Sequence, residues 1–305
     1  MSTRARAISL MLLVVSVTAT LSAGCQGDGS SDSDGEDLGT IRPGVITVAI
    51  RGDLPYAAMK DGELTGVDGD IMTKLAERLD QDIETETMDF SGQLGAVGSN
   101  RVDIAIGSIG WNAERADAGI FTDPTYYAGA TVIEPVGSQV STLESLEGKD
   151  IGTVTGYAWA PAIEEIPDAQ LHTYETADAV YADVGSGRID AAFVDALQDI
   201  YTAQTNEDLG IQTAPLQVTE ADLAANDAYS VFGKVQLAFY LPRDRTELEE
   251  ALSEEIRKMY ESGEMAEILQ KWGVEKPADF LTPGPDSDER IGVDRPSDWA
   301  PPSAE

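Results

Sequence analysis

Residues 99–106 read Ser-Asn-Arg-Val-Asp-Ile-Ala-Ile, and residues 186–193 read Ser-Gly-Arg-Ile-Asp-Ala-Ala-Phe. Both fit the form S-x-R-[VI]-D-x-A-[IF]. Each follows a helical stretch and supplies a turn and then an apolar strand. One unit in each half of the chain leaves two origins open, a chance match or two α/β lobes built alike. The flanking sequence alternates in the same way. VITVAI (45–50) is a short apolar run after Pro43-Gly44, and Ile71, Leu75 and Leu79 then fall on one face of a helix. Residues 83–88 alternate like a strand, and 151–154, 171–174 and 191–194 follow as strands separated by helical stretches such as 176–184. Strands spaced by helices predict βαβ units and a mostly parallel sheet. Two helices end the globular part. Thr246-Glu-Leu-Glu249 has the form of a capping box ahead of Leu248, Leu252, Ile256 and Met259, with Gly263 as the stop. Met265, Ile268, Leu269 and Trp272 share a face of the second helix, which Gly273 ends.

The two ends of the chain have a different composition. Arg4 and Arg6 precede an apolar run over 8–21 and the small residues Ser22-Ala23-Gly24. That pattern is an export signal (residues 1–24), with an apolar stretch short of the ~20 residues a bilayer span needs. Cys25 is the single cysteine and stands at the exit of this segment. It is either a chance cysteine behind a cleaved signal or a modified one; LSAGC resembles a bacterial lipobox, which implies lipidation of Cys25, and Ser22 is a small departure from that pattern. Residues 25–42 are rich in Gly, Ser and Asp and are expected to form a disordered tether. Residues 282–305, rich in Pro, Asp and Ser, are expected to form a disordered acidic tail, with Ile291, Val293 and Trp299 as candidates for docking.

Fifty-five acidic residues stand against 20 basic ones, a net charge of −35. Nucleic acid is thereby excluded as a natural partner, because phosphate binding needs clustered Lys and Arg. The excess runs through the folded region. It reads either as a solvated, soluble surface or as an adaptation to high salt, where carboxylate self-repulsion is screened. His172 is the sole histidine, which rules out a His-based metal cluster and a Ser-His-Asp triad. No P-loop or G-x-S-x-G occurs, and the calcium-loop-like start at Asp61 has Met72 where the twelfth position requires Glu. No cofactor or metal is expected.

The segments GELTGVDGDIMTKLAERL (62–79), MDFSGQLGAV (88–97), RVDIAIGSIGWNAER (101–115), FTDPTYY (121–127), GRIDAAFVD (187–195) and GEMAEILQKWG (263–273) resemble, in order, the family 3 extracytoplasmic solute-binding proteins. Val67 and Gly69 depart from the family's signature. The resemblance implies a two-lobed α/β fold on a two-strand hinge, with lobe 1 over 43–130 and 235–281 and lobe 2 over 131–234. It also implies an extracytoplasmic, lipid-anchored monomer that captures a small zwitterion, an amino acid above all, and passes it to the permease of an ABC importer. Cyclohexadienyl dehydratases resemble the same family, so an enzyme on this fold is the alternative, although no residue is singled out as its general acid.

Carried over residue by residue, the resemblance places the ligand's carboxylate on Arg115 and its ammonium on Asp195. Taken alone, Arg115 reads either as a surface ion pair with Glu114 or Asp117 or as a carboxylate clamp beside a helix start capped by Asn112. Asp195 reads either as a plain helix N-cap or as a ligand group at the carboxyl end of the strand AAFV. Ser108 and Gly110 occupy positions where the family offers a hydroxyl and backbone groups, of which Gly110 keeps only its N–H. Phe90, Trp111 and Tyr157 are either core aromatics or walls of the pocket. Asp53, near the position of a stacking aromatic in relatives, either meets a cationic side chain or caps a turn, and Tyr56 lies three residues on.

If carboxylate repulsion limits stability, the melting temperature should rise substantially between low and molar sodium chloride. A flat profile in differential scanning calorimetry would reduce the acidity to a solubility feature.

Overall fold

The computed structural model describes residues 38–284 and 287–304; the proposed signal, Cys25 and most of the tether lie outside them. The chain runs through β1 (Val45–Ile50), the hairpin β2 (Ala58–Lys60) and β3 (Glu63–Thr65), α1 (Val67–Arg78), β4 (Asp82–Thr87), α2 (Phe90–Gly98), β5 (Ile104–Ala105), α3 (Ala113–Ala118) and β6 (Ile120–Phe121). It then crosses β7 (Tyr126–Ala128) into β8 (Thr131–Pro135), β9 (Asp150–Val154), α4 (Trp159–Glu164), β10 (Gln170–Tyr174), α5 (Ala177–Gly185), β11 (Ala191–Phe193), α6 (Ala196–Thr205), β12 (Ile211–Pro215) and α7 (Glu220–Ala225). The return passes through β13 (Val235–Leu237) to β14 (Tyr240–Leu241), α8 (Thr246–Ser262), α9 (Glu264–Lys271) and α10 (Ala278–Leu281).

These strands form two five-stranded sheets, ordered β4-β1-β5-β14-β6 and β10-β9-β11-β8-β12. In the first, β1 is parallel to β4 and β5, while β14 is antiparallel to β5 and β6. In the second, β9 is parallel to β10 and β11, while β8 is antiparallel to β11 and β12. Each sheet therefore has one reversed strand in the fourth place, and that strand is the one entered from the connection between lobes. β7 and β13 pair antiparallel, Tyr127 opposite Gln236, and form that two-strand connection.

The internal similarity has a physical reading. Asn100 and Gly187, the variable positions of the two motifs, both have left-handed backbone (φ 52° and 69°). Asn and Gly tolerate that conformation best, and it ends α2 and α5. The Arg101 and Arg188 N–H groups then close back onto the carbonyls of Ala96 and Asp183. Val102 and Ile189 are buried. Asp103 accepts the Thr47 N–H of β1 at 2.9 Å, and Asp190 accepts the Asp150 N–H of β9 at 3.0 Å. Each motif therefore turns the chain out of a helix and ties the start of the third strand to the start of the first.

Two terminal expectations change. Within the expected tether, Leu38 is buried in the lobe 1 core and the Ile41 N–H donates to Asp103 at 2.8 Å, so the folded part begins by Leu38. The expected disordered tail is instead, over 287–304, an ordered strap packed on lobe 1. Its anchor is polar, which composition alone does not reveal. Arg290 is fully buried, donates to the carbonyls of Thr122 (3.0 Å) and Phe121 (3.2 Å), and pairs with Asp294 at 2.8 Å. Arg295 reaches Glu249 at 2.8 Å, and the Trp299 indole donates to Asp123. Of the docking candidates only Trp299 is held in this way, since Ile291 and Val293 are exposed. The strap also touches both crossing strands: Tyr127 donates to the Pro302 carbonyl at 2.7 Å and Gln236 to that of Ser287 at 3.1 Å. The same contacts explain why the capping box of α8 does not form. Glu249 is taken by Arg295 and Ser253, and Arg245 holds the N-cap position without a side-chain cap.

Replacing Arg290 with methionine would leave the Thr122 carbonyl without its donor and Asp294 without its cation. A loss of about 3–5 kcal/mol is expected from breaking such a buried pair, read as a lower midpoint in urea. An unchanged midpoint would mean that the strap adds nothing to the fold.

Candidate functional site

The carboxyl ends of β1, β5 and β11 carry the chemistry, as expected for open α/β sheets. Past β1 come Arg51, Asp53 and Tyr56. Arg51 sets its guanidinium 4.8 Å from the centre of the Tyr56 ring and its Nη2 3.2 Å from Asp53. Tyr56 is 1% exposed, and its hydroxyl donates to Asp195, which stands between β11 and α6. A lobe 1 side chain is thus bonded to a lobe 2 side chain where the strand ends of the two lobes meet. The lobes also touch along α6, where Gln204 donates to the Gly273 carbonyl at 2.7 Å and Tyr201 packs against Trp272.

Asp195 is the N-cap residue of α6 by position; its carboxylate accepts the Tyr56 hydroxyl and faces the Leu197 and Gln198 N–H groups of the first turn without a cap bond of full geometry. Burial pushes its carboxyl up to about 6, against the opposing pull of Arg51. One helical turn on, Asp199 is fully buried and accepts the Tyr181 hydroxyl at 2.9 Å and the Asp195 N–H at 3.1 Å. Burial, and then the neighbouring Asp195 charge, raise it well above the usual carboxylate range.

Past β5, Ser108 has left-handed backbone (φ 58°) and donates its N–H to Asp68 at 3.0 Å. Asp68 also accepts the Tyr126 hydroxyl, and burial pushes it up to about 7. The chain then reaches Gly110, whose carbonyl accepts a bond from the Arg115 Nη1 at 2.6 Å. Asn112 caps α3 as expected, accepting the Arg115 N–H at 2.8 Å. The Arg115 guanidinium lies 5.3 Å from the Phe90 ring centre. The surface pair with Glu114 or Asp117 does not form, and among the described residues no carboxylate stands within salt-bridge distance of Arg115. Burial lowers its pKa.

The expected residues therefore fall into groups. Asp53, Tyr56 and Asp195 are brought together, and so are Phe90, Gly110 and Arg115. Trp111 follows Gly110, but its indole N–H is taken by Asp294 of the strap at 3.1 Å. Tyr157 stands exposed after β9, with no bond to the other expected residues. Arg51, Asp68 and Asp199 escaped the sequence reading. Asp68 lay inside the quoted 62–79 segment and Asp199 one helical turn from Asp195, so both had a signal. A cavity of about 770 Å³ on lobe 1, lined by residues such as Met59, Lys74 and Lys271, includes none of these groups.

Two like-built lobes on a two-strand crossing, with polar side chains from strand ends meeting between them, define a hinged solute receptor. The model of the bacterial extracellular solute-binding proteins, family 3, matches residues 46–275, and the chain belongs to that family. It is an extracytoplasmic solute-binding protein. It is 31% identical over 186 residues to the probable amino-acid-binding protein YxeM of Bacillus subtilis, covering 59% of this chain and 67% of that one. To the L-cystine-binding protein TcyJ of Escherichia coli it is 23% identical over 235 residues, covering 75% and 82%. An ancestral cationic amino acid solute-binding protein shares the fold with a TM-score of 0.63 at 23% identity, over 76% of this chain and 96% of that one.

The buried carboxylates set a pH dependence. In an unfolded chain Asp68 and Asp195 titrate near about 4. Folded, they hold their protons to about 7 and about 6. Across that window the native state binds more protons than the unfolded one, so these two groups make stability fall as pH rises from about 4 to about 7. Asp68→Asn keeps an acceptor for Ser108 and Tyr126 and removes one titration. Urea unfolding of the ligand-free protein should then show a shallower fall across the window; an unchanged slope would assign it to other groups.

Proposed function

We propose that this protein captures an amino acid or a similar zwitterion between its lobes, with the carboxylate on Arg115 and the ammonium on Asp195. The observation that carries the reading is the unequal state of these two groups. Arg115 is a partly desolvated guanidinium bonded to a carbonyl but, among the described residues, to no carboxylate, and Asp195 is a half-buried carboxylate met from the opposite lobe by a tyrosine. A ligand carboxylate supplies the charge Arg115 lacks, and an ammonium stabilises Asp195 as the anion. Phe90 and Tyr56 then pack the ligand's apolar parts, while Ser108, through Asp68, holds the loop between them. The captured solute is passed to an ABC permease by a monomeric receptor held at the membrane through lipidated Cys25. The role is delivery and not catalysis.

Truncating either charged partner strands the other in a closed cleft, at a cost of about 2–5 kcal/mol, or roughly 30-fold to several-thousand-fold in affinity. Arg115→Ala and Asp195→Ala should each bring binding measured by calorimetry close to extinction, with circular dichroism unchanged and with effects that do not add. Two variants that bind within threefold of the parent would place the ligand elsewhere.

A further inference from the structure

The strap is anchored to lobe 1. Arg290 bonds the carbonyls of Phe121 and Thr122, Trp299 bonds Asp123, and Arg257 of α8 donates to the Ala300 carbonyl at 3.0 Å. From there it reaches both crossing strands at one level. Tyr127 of β7 and Gln236 of β13 stand opposite each other, both are buried, and each gives its side-chain donor to a strap carbonyl, those of Pro302 and Ser287. Lys234, two residues earlier, donates its ammonium to the Thr282 carbonyl at 2.9 Å. The lobe 1 half of the crossing is therefore bonded from the side to a segment that is itself fixed on lobe 1.

Just past these bonds the chain changes from one core to the other. Ala128 packs against the lobe 1 core and Ala130 is buried in that of lobe 2; on the return, Phe232 is buried in the lobe 2 core and Leu237 in that of lobe 1. Gly129 lies in the first interval and Gly233 opens the second. The ladder ends at Ala128 opposite Val235, and the next backbone bond runs from the Ala130 N–H to the Phe232 carbonyl at 3.3 Å. Rotation of one lobe on the other needs a few residues that absorb a backbone change, and these two lie between the cores and outside the ladder. We propose that the strap is a brace on the hinge: it holds the lobe 1 half of the crossing rigid, confines lobe rotation to Gly129 and Gly233, and so limits how far the cleft opens. Opening that bends the crossing at Tyr127 or Gln236 breaks a strap bond, whereas opening at the two glycines breaks none. The loop of Arg115 is steadied by the same segment, since the Gln236 carbonyl accepts the Trp111 N–H at 2.9 Å and Asp294 accepts its indole. A receptor with a narrower range of open states has less freedom to lose when a solute closes it. The inference rests on the two-lobed fold and holds whichever groups meet the solute.

The test is the spread of lobe separations in the solute-free, full-length protein, read by pulsed electron spin resonance between nitroxides. Labels on Glu114→Cys in α3 and Glu164→Cys in α4, both exposed positions, report it, with Cys25→Ser so that no other thiol is labelled. Tyr127→Phe removes the Pro302 bond and Gln236→Leu the Ser287 bond, each with little change of shape. Each should raise the population at separations longer than the parent's main peak by about two- to tenfold, the worth of one hydrogen bond. Gly129→Val stiffens the pivot and should narrow the distribution; an added Cβ there meets nothing nearer than the flexible Lys234 side chain at 3.4 Å. Val48→Ala, in buried β1, is the control for lost stability alone and should lower the urea midpoint without altering the distribution. Should Gln236→Leu fail to fold, Tyr127→Phe, which loses a single oxygen, still decides. Parent-like distributions in the folded strap variants overturn the brace, and so does a Val48→Ala distribution broadened as much as theirs. A Gly129→Val distribution as broad as the parent's overturns the pivot.

Discussion

Asp103 is the constraint on which lobe 1 is built. Fully buried, it accepts the N–H groups of Ile41 and Thr47 and the Arg245 guanidinium, joining the chain's entry, β1 and the start of α8 at one carboxylate. A buried ion of this kind is stable only when its lone pairs are met. Because it ties the amino ends of β1 and β5 together, the carboxyl ends of those strands finish side by side. That places the loop of Arg51 and Tyr56 beside the loop of Ser108 and Gly110. Asp190 makes the equivalent tie in lobe 2, with an exposed side chain and a single N–H partner. The two lobes share the device at different strengths.

Carboxylates dominate the interior of the cleft as they dominate the surface, but the physics there is different. Surface charges are screened by salt, whereas Asp68, Asp195 and Asp199 sit where burial outweighs their hydrogen bonds and favours the protonated form. Arg51 opposes that tendency at both Asp68 and Asp195. The ammonium proposed for Asp195 would add a second positive charge and would link ligand binding to proton release there.

Much of the fold was legible because its signals are local. A left-handed residue after a helix admits few residue types, and buried parallel strands read as apolar runs, so 99–106 and 186–193 could be read as turn-and-strand units, with two like-built lobes as one of two open origins. Asn112 was legible as the cap of α3 for the same reason. The strap was not, because it is held by Arg290, Arg295 and Asp294, and polar residues in a Pro- and Asp-rich stretch look solvated until their partners are seen. Arg51 was missed on similar grounds: an arginine at a strand end reads as surface, and nothing nearby in sequence shows that Tyr56 lies under it. The capping box of α8 failed because Glu249 had a stronger partner, distant in sequence, in Arg295.

The strap also dictates an order of assembly. Lobe 2 is one continuous stretch and can condense as soon as it emerges from the ribosome or the export channel. Lobe 1 is made from both flanks of that stretch, and Arg290, which fills its interior beside Phe121 and Thr122, follows both flanks in the chain. Lobe 1 must therefore wait with those carbonyls unmet, and the crossing strands reach their final bonds only when Ser287 and Pro302 arrive. The crossing is thus finished from outside, by a segment that belongs to neither lobe's sheet.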